Sequence, residues 1–584
     1  MAVHHHLFAA ALAALWACVT AASQQSIVRS PESATLEKGV DALFTRGIRP
    51  DGPGCAVGVY EGGEVALARR YGLANVEDGR PITSRTTFNL GSLSKPFTAL
   101  AALMLEQRGR LSLDDDVRRW VPELPDYGAP IRVRDLLEHT SGLRDIGTLM
   151  VLSGRQVTTM PDFLGLLESQ RALNFQPGAR HEYSHSDYLV LGLVLERVTG
   201  EPFGAHLERE LLEPLGMRGS FIHDTRARAM KDRALGHAVT QEGARLQFPS
   251  SVLVGDTNLY ASIEDLARWD RNFDEPGVGG PAIIARMLGR PKLATGDTIP
   301  YAYGLRLGEY RGLRTVSRGG HEQGMRTEII RFPDQRFTVA TLCNADNLEA
   351  GRLAQGVADI YLGRLMRPAR SRPEAPAAAS ASPPELARYA GVYRPLDAPW
   401  NLLYLEVRDG VLNEVLFDDE RDHMFFGMTP AGDGRFFEIG ETGNVGIFTF
   451  RTDIGSGPPR LQISWNDGAP EILERVATSA LWRPSAAALA EYAGTWFSPD
   501  LDASWRLQSR EGNLILRRRG QHDLTLRPVG RDQFVRGFGP VVSTRAVQLQ
   551  FHRDRAGRLT HLTASTPPGE DSVRDLRFDR LAVR

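Results

Sequence analysis

The chain has 584 residues, of which 42% are apolar and 24% are charged, and its net charge is −2. At about 100–200 residues per domain this length predicts three or more domains, and the composition is typical of a globular protein. The near-neutral charge gives no electrostatic reason to expect nucleic acid or an anionic membrane as a partner.

Residues 1–22 have the pattern of a secretory signal peptide. An apolar stretch from Leu7 to Val19 is followed by small residues, and cleavage is expected near Ala22. This stretch is too short to span a membrane comfortably, and no other stretch predicts a transmembrane segment. We therefore expect a periplasmic or secreted protein, with lipid attachment at Cys18 as the alternative.

Residues 30–366 combine helical periodicity with short antiparallel hairpins. In chain order the sequence predicts a hairpin at 55–72, a helix at 93–108, a helix at 186–200 and a strand pair at 327–344. Helices mixed with antiparallel hairpins indicate an α+β domain.

The stretch 369–384 is rich in Pro, Ala and Ser, which predicts a linker. Beyond it the chain repeats, because LARYAGVY at 386–393 returns as LAEYAGTW at 489–496. Each copy, 385–478 and 485–584, has room for about eight short strands, enough to close a small barrel. The sequence therefore predicts two tandem antiparallel β-barrels.

Two cysteines, Cys55 and Cys343, remain after removal of the signal peptide. Two cysteines cannot form a disulfide framework or a zinc site. Each lies in an apolar, strand-like segment, which favours buried free thiols, with a bridge between them as the alternative.

The stretch NLGSLSKPF at 89–97 holds one of only four lysines in the chain. Lys95 follows Ser92 by three residues at the start of a predicted helix, so the two side chains share a face. A serine hydroxyl is a poor nucleophile until a base removes its proton. Arginine cannot be that base, whereas a lysine can once burial and neighbouring positive charge lower its pKa. Ser92 and Lys95 are candidates for nucleophile and base, and a helix cap at Ser92 with an exposed Lys95 is the alternative.

At this motif the chain resembles the serine β-lactamase and penicillin-binding-protein superfamily, in its class C-like branch with D-aminopeptidases and esterases. The resemblance rests on segments at 89–117, 131–145, 175–200 and 259–272, and it covers most of residues 35–365. It implies a β-lactamase-like α+β fold, in which helices flank an antiparallel sheet and form a further helical subdomain. The S-x-x-K motif of the superfamily implies that Ser92 is the nucleophile and Lys95 its base partner.

The second motif of the superfamily, Tyr-x-Asn, corresponds here to Tyr183-Ser184-His185. The resemblance implies that Tyr183 relays the serine proton and later the leaving-group proton, and a packed core tyrosine is the alternative. His185 departs from the usual Asn. An imidazole can still donate to a substrate carbonyl, but its charge depends on pH.

The third motif, Lys-Thr-Gly or His-x-Gly on a strand, corresponds to Arg318-Gly319-Gly320. The permanent charge of Arg318 can bind a substrate carboxylate or depress the pKa of Tyr183, and a plain surface arginine is the alternative. The two glycines let a substrate backbone approach closely. The resemblance also implies that the backbone N–H of His321 is the second oxyanion donor, beside that of Ser92.

These residues predict a serine hydrolase that forms an acyl-enzyme with an amide or an ester. The expected substrate is a D-amino acid peptide, a peptidoglycan-type peptide or a small ester. The alternatives are an esterase without peptidase activity and a non-catalytic protein that binds peptides or peptidoglycan.

His139, in the segment HTSGL, is expected to order a loop near the site and to perform no chemistry. The other histidines lack metal-ligand spacing, so we expect neither a metal nor a cofactor. The tail resembles the lipocalin-like barrels of some D-aminopeptidases, which implies that the barrels either narrow the cleft or serve as docked stabilising modules.

Overall fold

The computed structural model describes residues 31–225, 232–240, 242–248, 251–293, 295–368, 381–396, 402–416, 424–439, 445–451, 460–465, 470–477, 482–510, 512–536, 547–566 and 572–581. The predicted signal peptide, Cys18 and residues 369–380 of the predicted linker lie outside these ranges. No helix in the described part of the chain has the length and apolar character needed to cross a membrane.

The first part of the chain alternates helices with short strands. Its helices are α1 (Pro31–Thr45), α2 (Lys95–Gln107), α3 (Val133–Leu137), α4 (Ile146–Ser153), α5 (Met160–Glu168), α6 (His185–Thr199), α7 (Phe203–Leu207), α8 (Glu213–Leu215), α9 (Ile263–Asp274), α10 (Gly280–Met287) and α11 (Ala350–Leu362). Its strands are β1 (Cys55–Glu61), β2 (Glu64–Tyr71), β3 (Leu73–Asn75), β4 (Arg80–Pro81), β5 (Phe88–Asn89), β6 (Phe221–Ile222), β7 (Gly236–Thr240), β8 (Gly243–Gln247), β9 (Leu259–Ala261), β10 (Tyr301–Ala302), β11 (Leu305–Tyr310), β12 (Leu313–Glu322), β13 (Met325–Phe332) and β14 (Phe337–Cys343).

A seven-stranded antiparallel sheet in the order β10-β11-β12-β13-β14-β1-β2 forms the centre of this part. Strand β1 is buried on both faces, which explains its continuous apolar sequence. Val57 and Val59 belong to the core layer shared with α1 and α11, whereas Ala56 and Tyr60 belong to the core on the opposite face. The predicted α+β class, the hairpin β1–β2 and the strand pair β13–β14 are confirmed.

The second part of the chain forms two closed barrels of eight antiparallel strands, as the repeat predicts. The first barrel follows α12 (Pro383–Leu386) and consists of β15 (Gly391–Pro395), β16 (Leu403–Arg408), β17 (Val411–Leu416), β18 (Met424–Gly432), β19 (Arg435–Ile439), β20 (Val445–Arg451), β21 (Arg460–Trp465) and β22 (Glu471–Val476). The second follows α13 (Ala486–Ala490) and consists of β23 (Gly494–Ser498), β24 (Ala503–Arg510), β25 (Asn513–Arg517), β26 (Leu524–Gly530), β27 (Gln533–Arg536), β28 (Val547–Arg553), β29 (Leu559–Ser565) and β30 (Leu576–Arg580). The repeated YAG segments occupy equivalent places, since Gly391 and Gly494 each begin the first strand of a barrel.

The apolar cores of the two barrels differ in their relation to the first part of the chain. The apolar interior of the second barrel is continuous with the core around α4, and the Trp505 indole donates to the Leu152 carbonyl at 2.9 Å. A buried ion pair joins Arg144 to Asp500 at 2.8 Å across the same junction. The first barrel has an apolar core of its own. The second barrel is therefore an integral part of the folded unit that carries the helices.

The prediction of free thiols is wrong, because Cys55 and Cys343 form a disulfide. The two residues stand directly opposite each other on β1 and β14, with their Cα atoms 4.1 Å apart. They are separated by 288 residues in the sequence, so their pairing depends on which strands become neighbours in the sheet. Apolar flanking residues indicated burial correctly but carried no information about that strand order.

Candidate active site

Ser92 lies in a 3-10 turn, Gly91–Ser94, that leads directly into α2, so Lys95 is the first residue of that helix. Gly91 has a φ of 54°, and a Cβ there would lie 2.9 Å from the backbone oxygen of His321. The turn is thus pressed against β12 at a position that only glycine can occupy. Asn89 supports it by accepting a hydrogen bond from the Gly91 N–H at 2.9 Å.

Three buried functional groups meet at Ser92. Its hydroxyl oxygen lies 3.1 Å from Lys95 Nζ and 2.9 Å from the Tyr183 hydroxyl. Lys95 has no exposed surface, and Ser92 and Tyr183 are 9% and 7% exposed. The alternative of a cap with an exposed lysine is therefore wrong, because Lys95 points into the protein.

Lys95 also contacts Asp256, a residue that no motif in the sequence marks. Lys95 Nζ donates to the Asp256 carbonyl at 3.2 Å and lies 3.7 Å from its carboxylate. The same carboxylate lies 2.8 Å from Nδ1 of His185. Burial would raise the pKa of Asp256, but the positive charges of Lys95 and His185 lower it. Asp256 is a buried anion between two cations.

Tyr183 is placed where its phenol can lose a proton readily. Burial alone would raise its pKa, but the positive charges of Arg318 and Lys95 outweigh that effect and lower the pKa to about 8. Arg318 Nη2 donates to the phenol oxygen at 2.6 Å, and Lys95 Nζ lies 5.0 Å from the ring centre.

His185 begins α6 beside this cluster, and its backbone N–H donates to the Asp145 carboxylate at 2.9 Å. Burial opposes a charged imidazole, but the negative charge of Tyr183 and the hydrogen bond to Asp256 raise the pKa of His185 to about 10. The residue that replaces the usual Asn therefore keeps its positive charge to a higher pH than an ordinary histidine.

Arg318 is 3% exposed, and its guanidinium is engaged with the protein. Besides Tyr183 it contacts the backbone oxygen of Ser92, to which Nε donates at 3.0 Å. Of the two functions that the sequence left open for Arg318, this geometry favours the effect on Tyr183 over the binding of a substrate carboxylate. The alternative of a surface arginine is wrong.

The rest of the third motif forms an open strand edge beside Ser92. The pairing of β11 with β12 ends at Arg306 opposite Ser317, and in the described residues the remainder of β12 pairs with β13 alone. Gly320 is required by close packing, since a Cβ there would lie 1.9 Å from the carbonyl oxygen of Leu90. At Gly319 the space of a side chain is taken by Glu328, since a Cβ at position 319 would lie 2.7 Å from Glu328 Oε2. A substrate backbone can therefore approach this edge.

His139 is fully buried behind Tyr183. Its ring nitrogens lie 2.8 Å from the Asp187 carboxylate and 3.0 Å from the Tyr301 hydroxyl, and its ring centre is 4.5 Å from that of Tyr183. Burial and the nearby positive charges lower its pKa far below the ordinary value, so the imidazole is neutral. These contacts agree with the predicted ordering function, because both ring nitrogens are engaged by protein groups.

A cavity of about 400 Å³ opens over the cluster, and its lining includes Ser92, Tyr183, His185, Arg318, His321 and Glu328. In the ranges that the structure describes, no group of three or more His, Cys, Asp or Glu side chains has an arrangement that could hold a metal ion. The groups positioned at Ser92 are those of nucleophilic and proton-transfer chemistry.

Residues 40–362 match the Beta-lactamase family, and the chain therefore belongs to the β-lactamase family of serine hydrolases. It is 30% identical over 347 residues to a D-aminopeptidase of Gluconobacter oxydans (strain 621H), an alignment that covers 58% of this chain and 64% of that relative. It is 25% identical over 547 residues to a D-aminopeptidase of Brucella melitensis biotype 2, covering 88% of this chain and 93% of the relative.

The fold is shared with a solved structure, the octameric penicillin-binding protein homologue from Pyrococcus abyssi. The two chains superpose with a TM-score of 0.53 at 22% identity, over 76% of this chain and 99% of the other. The resemblance drawn from the sequence motifs and the β-lactamase-like fold that it implied are confirmed.

Proposed function

We propose that this protein hydrolyses an amide or ester through an acyl-enzyme formed on Ser92. The observation that carries the proposal is the contact of the Ser92 hydroxyl with Lys95 Nζ and the Tyr183 hydroxyl, at 3.1 Å and 2.9 Å, inside a largely buried cluster. A serine hydroxyl becomes an effective nucleophile only when a nearby base removes its proton, and these two groups are the candidates for that base.

Tyr183 is the immediate base in this proposal. Its phenolate takes the Ser92 proton as the serine oxygen bonds to the substrate carbonyl carbon, and it returns that proton to the leaving group when the carbon–leaving group bond breaks. Lys95, which also contacts Asp256, favours the phenolate through its positive charge. A water molecule then attacks the acyl-enzyme by the same proton route and releases the acid.

The backbone N–H groups of Ser92 and His321 are the proposed oxyanion donors, a contribution commonly worth about 3–4 kcal/mol. His185, which lines the same cavity, is proposed as a further, charged donor to the substrate. This donor replaces the neutral amide of the usual motif.

The proposed substrate class is a peptide or amide of a D-amino acid, which is supported by the naming of both curated relatives as D-aminopeptidases. We also propose a periplasmic or secreted location. The disulfide between Cys55 and Cys343 supports it, since structural disulfides are typical of proteins outside the cytoplasm.

The test combines labelling of the nucleophile with two substrates. A fluorophosphonate probe should modify Ser92, as read by peptide mass spectrometry, and Ser92→Ala should be neither labelled nor active. D-alanine p-nitroanilide should be hydrolysed, and p-nitrophenyl butyrate serves as the ester comparison. Cleavage of the ester alone would favour an esterase, and a folded protein that neither probe nor substrate modifies would exclude the acyl-enzyme.

A further inference from the structure

The cavity above Ser92 continues around the open edge of β12 to the opposite face of the sheet. Beyond Arg318 its wall is formed by Gly319, by Glu328 of β13 and by Gly351 in the first turn of α11. Side chains alternate across a strand, so Arg318 points toward Ser92 while position 319 faces the other side. The lining of the cavity therefore includes residues of both faces, with Arg318 on one and Gly319 and Glu328 on the other.

Glu328 occupies this second half. It is paired with Gly319 across β12 and β13, and its Oε2 would lie 2.7 Å from a Cβ at that glycine. The carboxylate therefore lies directly beside the strand edge at which a substrate backbone can dock.

The Glu328 carboxylate lacks hydrogen-bond donors from the protein. Across the described residues, no backbone or side-chain group donates a hydrogen bond to it. Burial raises its pKa to about 7, and the charges of Arg318 and Arg306 only partly oppose this. Arg318 is engaged with Tyr183 and with the Ser92 backbone. The side chain is half-buried and opens into the cavity, where a ligand can supply the donors that the protein does not.

We propose that Glu328 is a specificity-determining residue that binds the free α-ammonium group of the substrate. The proposal rests on the acyl-enzyme function given above. With the scissile carbonyl held at Ser92, the amino end of the acyl part would lie at the strand edge beside Gly319 and meet the Glu328 carboxylate there. An ammonium group offers three donors and a compensating charge, so it satisfies Glu328 in a way that an acylated nitrogen cannot. The enzyme would thus select N-terminal residues with an unblocked amine.

The kinetic test compares D-alanine p-nitroanilide with its N-acetyl derivative. Glu328→Gln keeps the shape of the side chain and removes the charge. We expect it to raise KM for the free amine by about tenfold or more, with little change in kcat. Activity on the acetylated compound should stay at the wild-type level. Glu309→Gln is the matched control, because Glu309 is exposed on β11, pairs with Arg367 at 3.2 Å and should affect neither substrate.

A binding measurement separates this proposal from the proposed hydrolysis. D-alanine amide is titrated by calorimetry into Ser92→Ala and into Ser92→Ala/Glu328→Gln, with thermal unfolding followed by circular dichroism to show that both variants are folded. Binding to the first and at least about tenfold weaker binding to the second supports the site. Equal binding by the two proteins, or none to Ser92→Ala, overturns it. An unlabelled Ser92 in the wild-type protein would instead contradict the hydrolytic function.

Discussion

The guanidinium of Arg318 donates to the Tyr183 hydroxyl at 2.6 Å and lies 5.0 Å above the ring of the same tyrosine. An arginine side chain is not deprotonated in proteins, so its positive charge is permanent. Together with Lys95 it lowers the pKa of Tyr183 to about 8, against the opposing effect of burial. We infer that a third motif beginning with arginine acts here on the base, and that the substrate's own charged group is recognised elsewhere.

Replacing Arg318 by Gln should shift the pH dependence of hydrolysis. In the wild-type protein kcat/KM should rise with pH through about 8, because the phenol of Tyr183 must lose its proton to act as a base. Removal of the charge raises that pKa, so the ascending limb should move toward 10, and the rate at pH 7 should fall by about tenfold or more. The measurement is a pH profile of kcat/KM.

Arg314→Gln is the control for this profile, because Arg314 is exposed on the same strand and pairs with Asp334 at 2.8 Å. Its profile should coincide with that of the wild type. An ascending limb that stays near pH 8 in Arg318→Gln would show that the guanidinium does not set the pKa of the base.

Replacing His185 by Asn should abolish a decline of kcat/KM that we expect for the wild type at high pH. The pKa of His185 is raised to about 10, since Tyr183 and Asp256 favour its charged form more than burial disfavours it. Activity that depends on the imidazolium should therefore decline as the pH rises through about 10. An amide does not titrate, so kcat/KM of His185→Asn should show no such decline. A descending limb that is unchanged in this variant would contradict a function for the imidazolium.

Whether a contact can be predicted from the sequence depends on how far apart the two residues lie along the chain. Ser92 and Lys95 are separated by one helical turn, so their contact was predictable from local structure. Tyr183 and Arg318 were found through motifs. The Asp256 contact with Lys95 spans 161 residues and the disulfide spans 288, and neither is marked by a local pattern. Such pairs are fixed by strand order and by loop paths, which a single sequence does not specify.

Asp256→Asn should destabilise the protein and impair catalysis together. The carboxylate is buried and lies 3.7 Å from Lys95 and 2.8 Å from His185, so the substitution removes the anion that neutralises these two groups. We expect a loss of about 3–5 kcal/mol in the free energy of unfolding, measured by urea titration at pH 7. The exposed Asp297→Asn is the control.

The pH dependence of that loss has a definite sign. The folded-state pKa of Asp256 is lowered, so its stabilising contribution is complete above the ordinary carboxylate pKa and is lost as the pH falls through the lowered value. The difference between wild type and Asp256→Asn should therefore shrink in acid. A constant difference from pH 7 into the acid range would contradict a charged Asp256.

Reduction of the disulfide should lower stability and leave the chemistry of Ser92 intact. The bridge closes a loop of 288 residues in the unfolded chain, which predicts a contribution of about 2–5 kcal/mol. Guanidinium unfolding with and without reductant measures it. Cys55→Ser/Cys343→Ser should match the reduced wild type and be insensitive to reductant. Unfolding that is unaffected by reductant in the wild type would contradict a bridge.

Asp500→Ala should loosen the second barrel and, through that barrel, the Tyr183 segment. Its carboxylate pairs with Arg144, and both side chains are at least 95% buried. Next to this contact, Ser572 of the barrel hydrogen-bonds to Glu182, which directly precedes Tyr183. We expect about 3–5 kcal/mol of destabilisation, because Arg144 is left as an unpaired buried charge.

Activity should fall together with stability in this variant, since the barrel supports the segment that carries the proposed base. The control is Glu474→Ala in the first barrel, where the pair with Arg394 is at the surface and contributes about 0–1 kcal/mol. Both variants are compared by kcat/KM at a temperature where each is folded. If Asp500→Ala is destabilised but keeps full activity, the second barrel stabilises the fold without positioning Tyr183, and the coupling inferred from the Ser572–Glu182 contact is wrong.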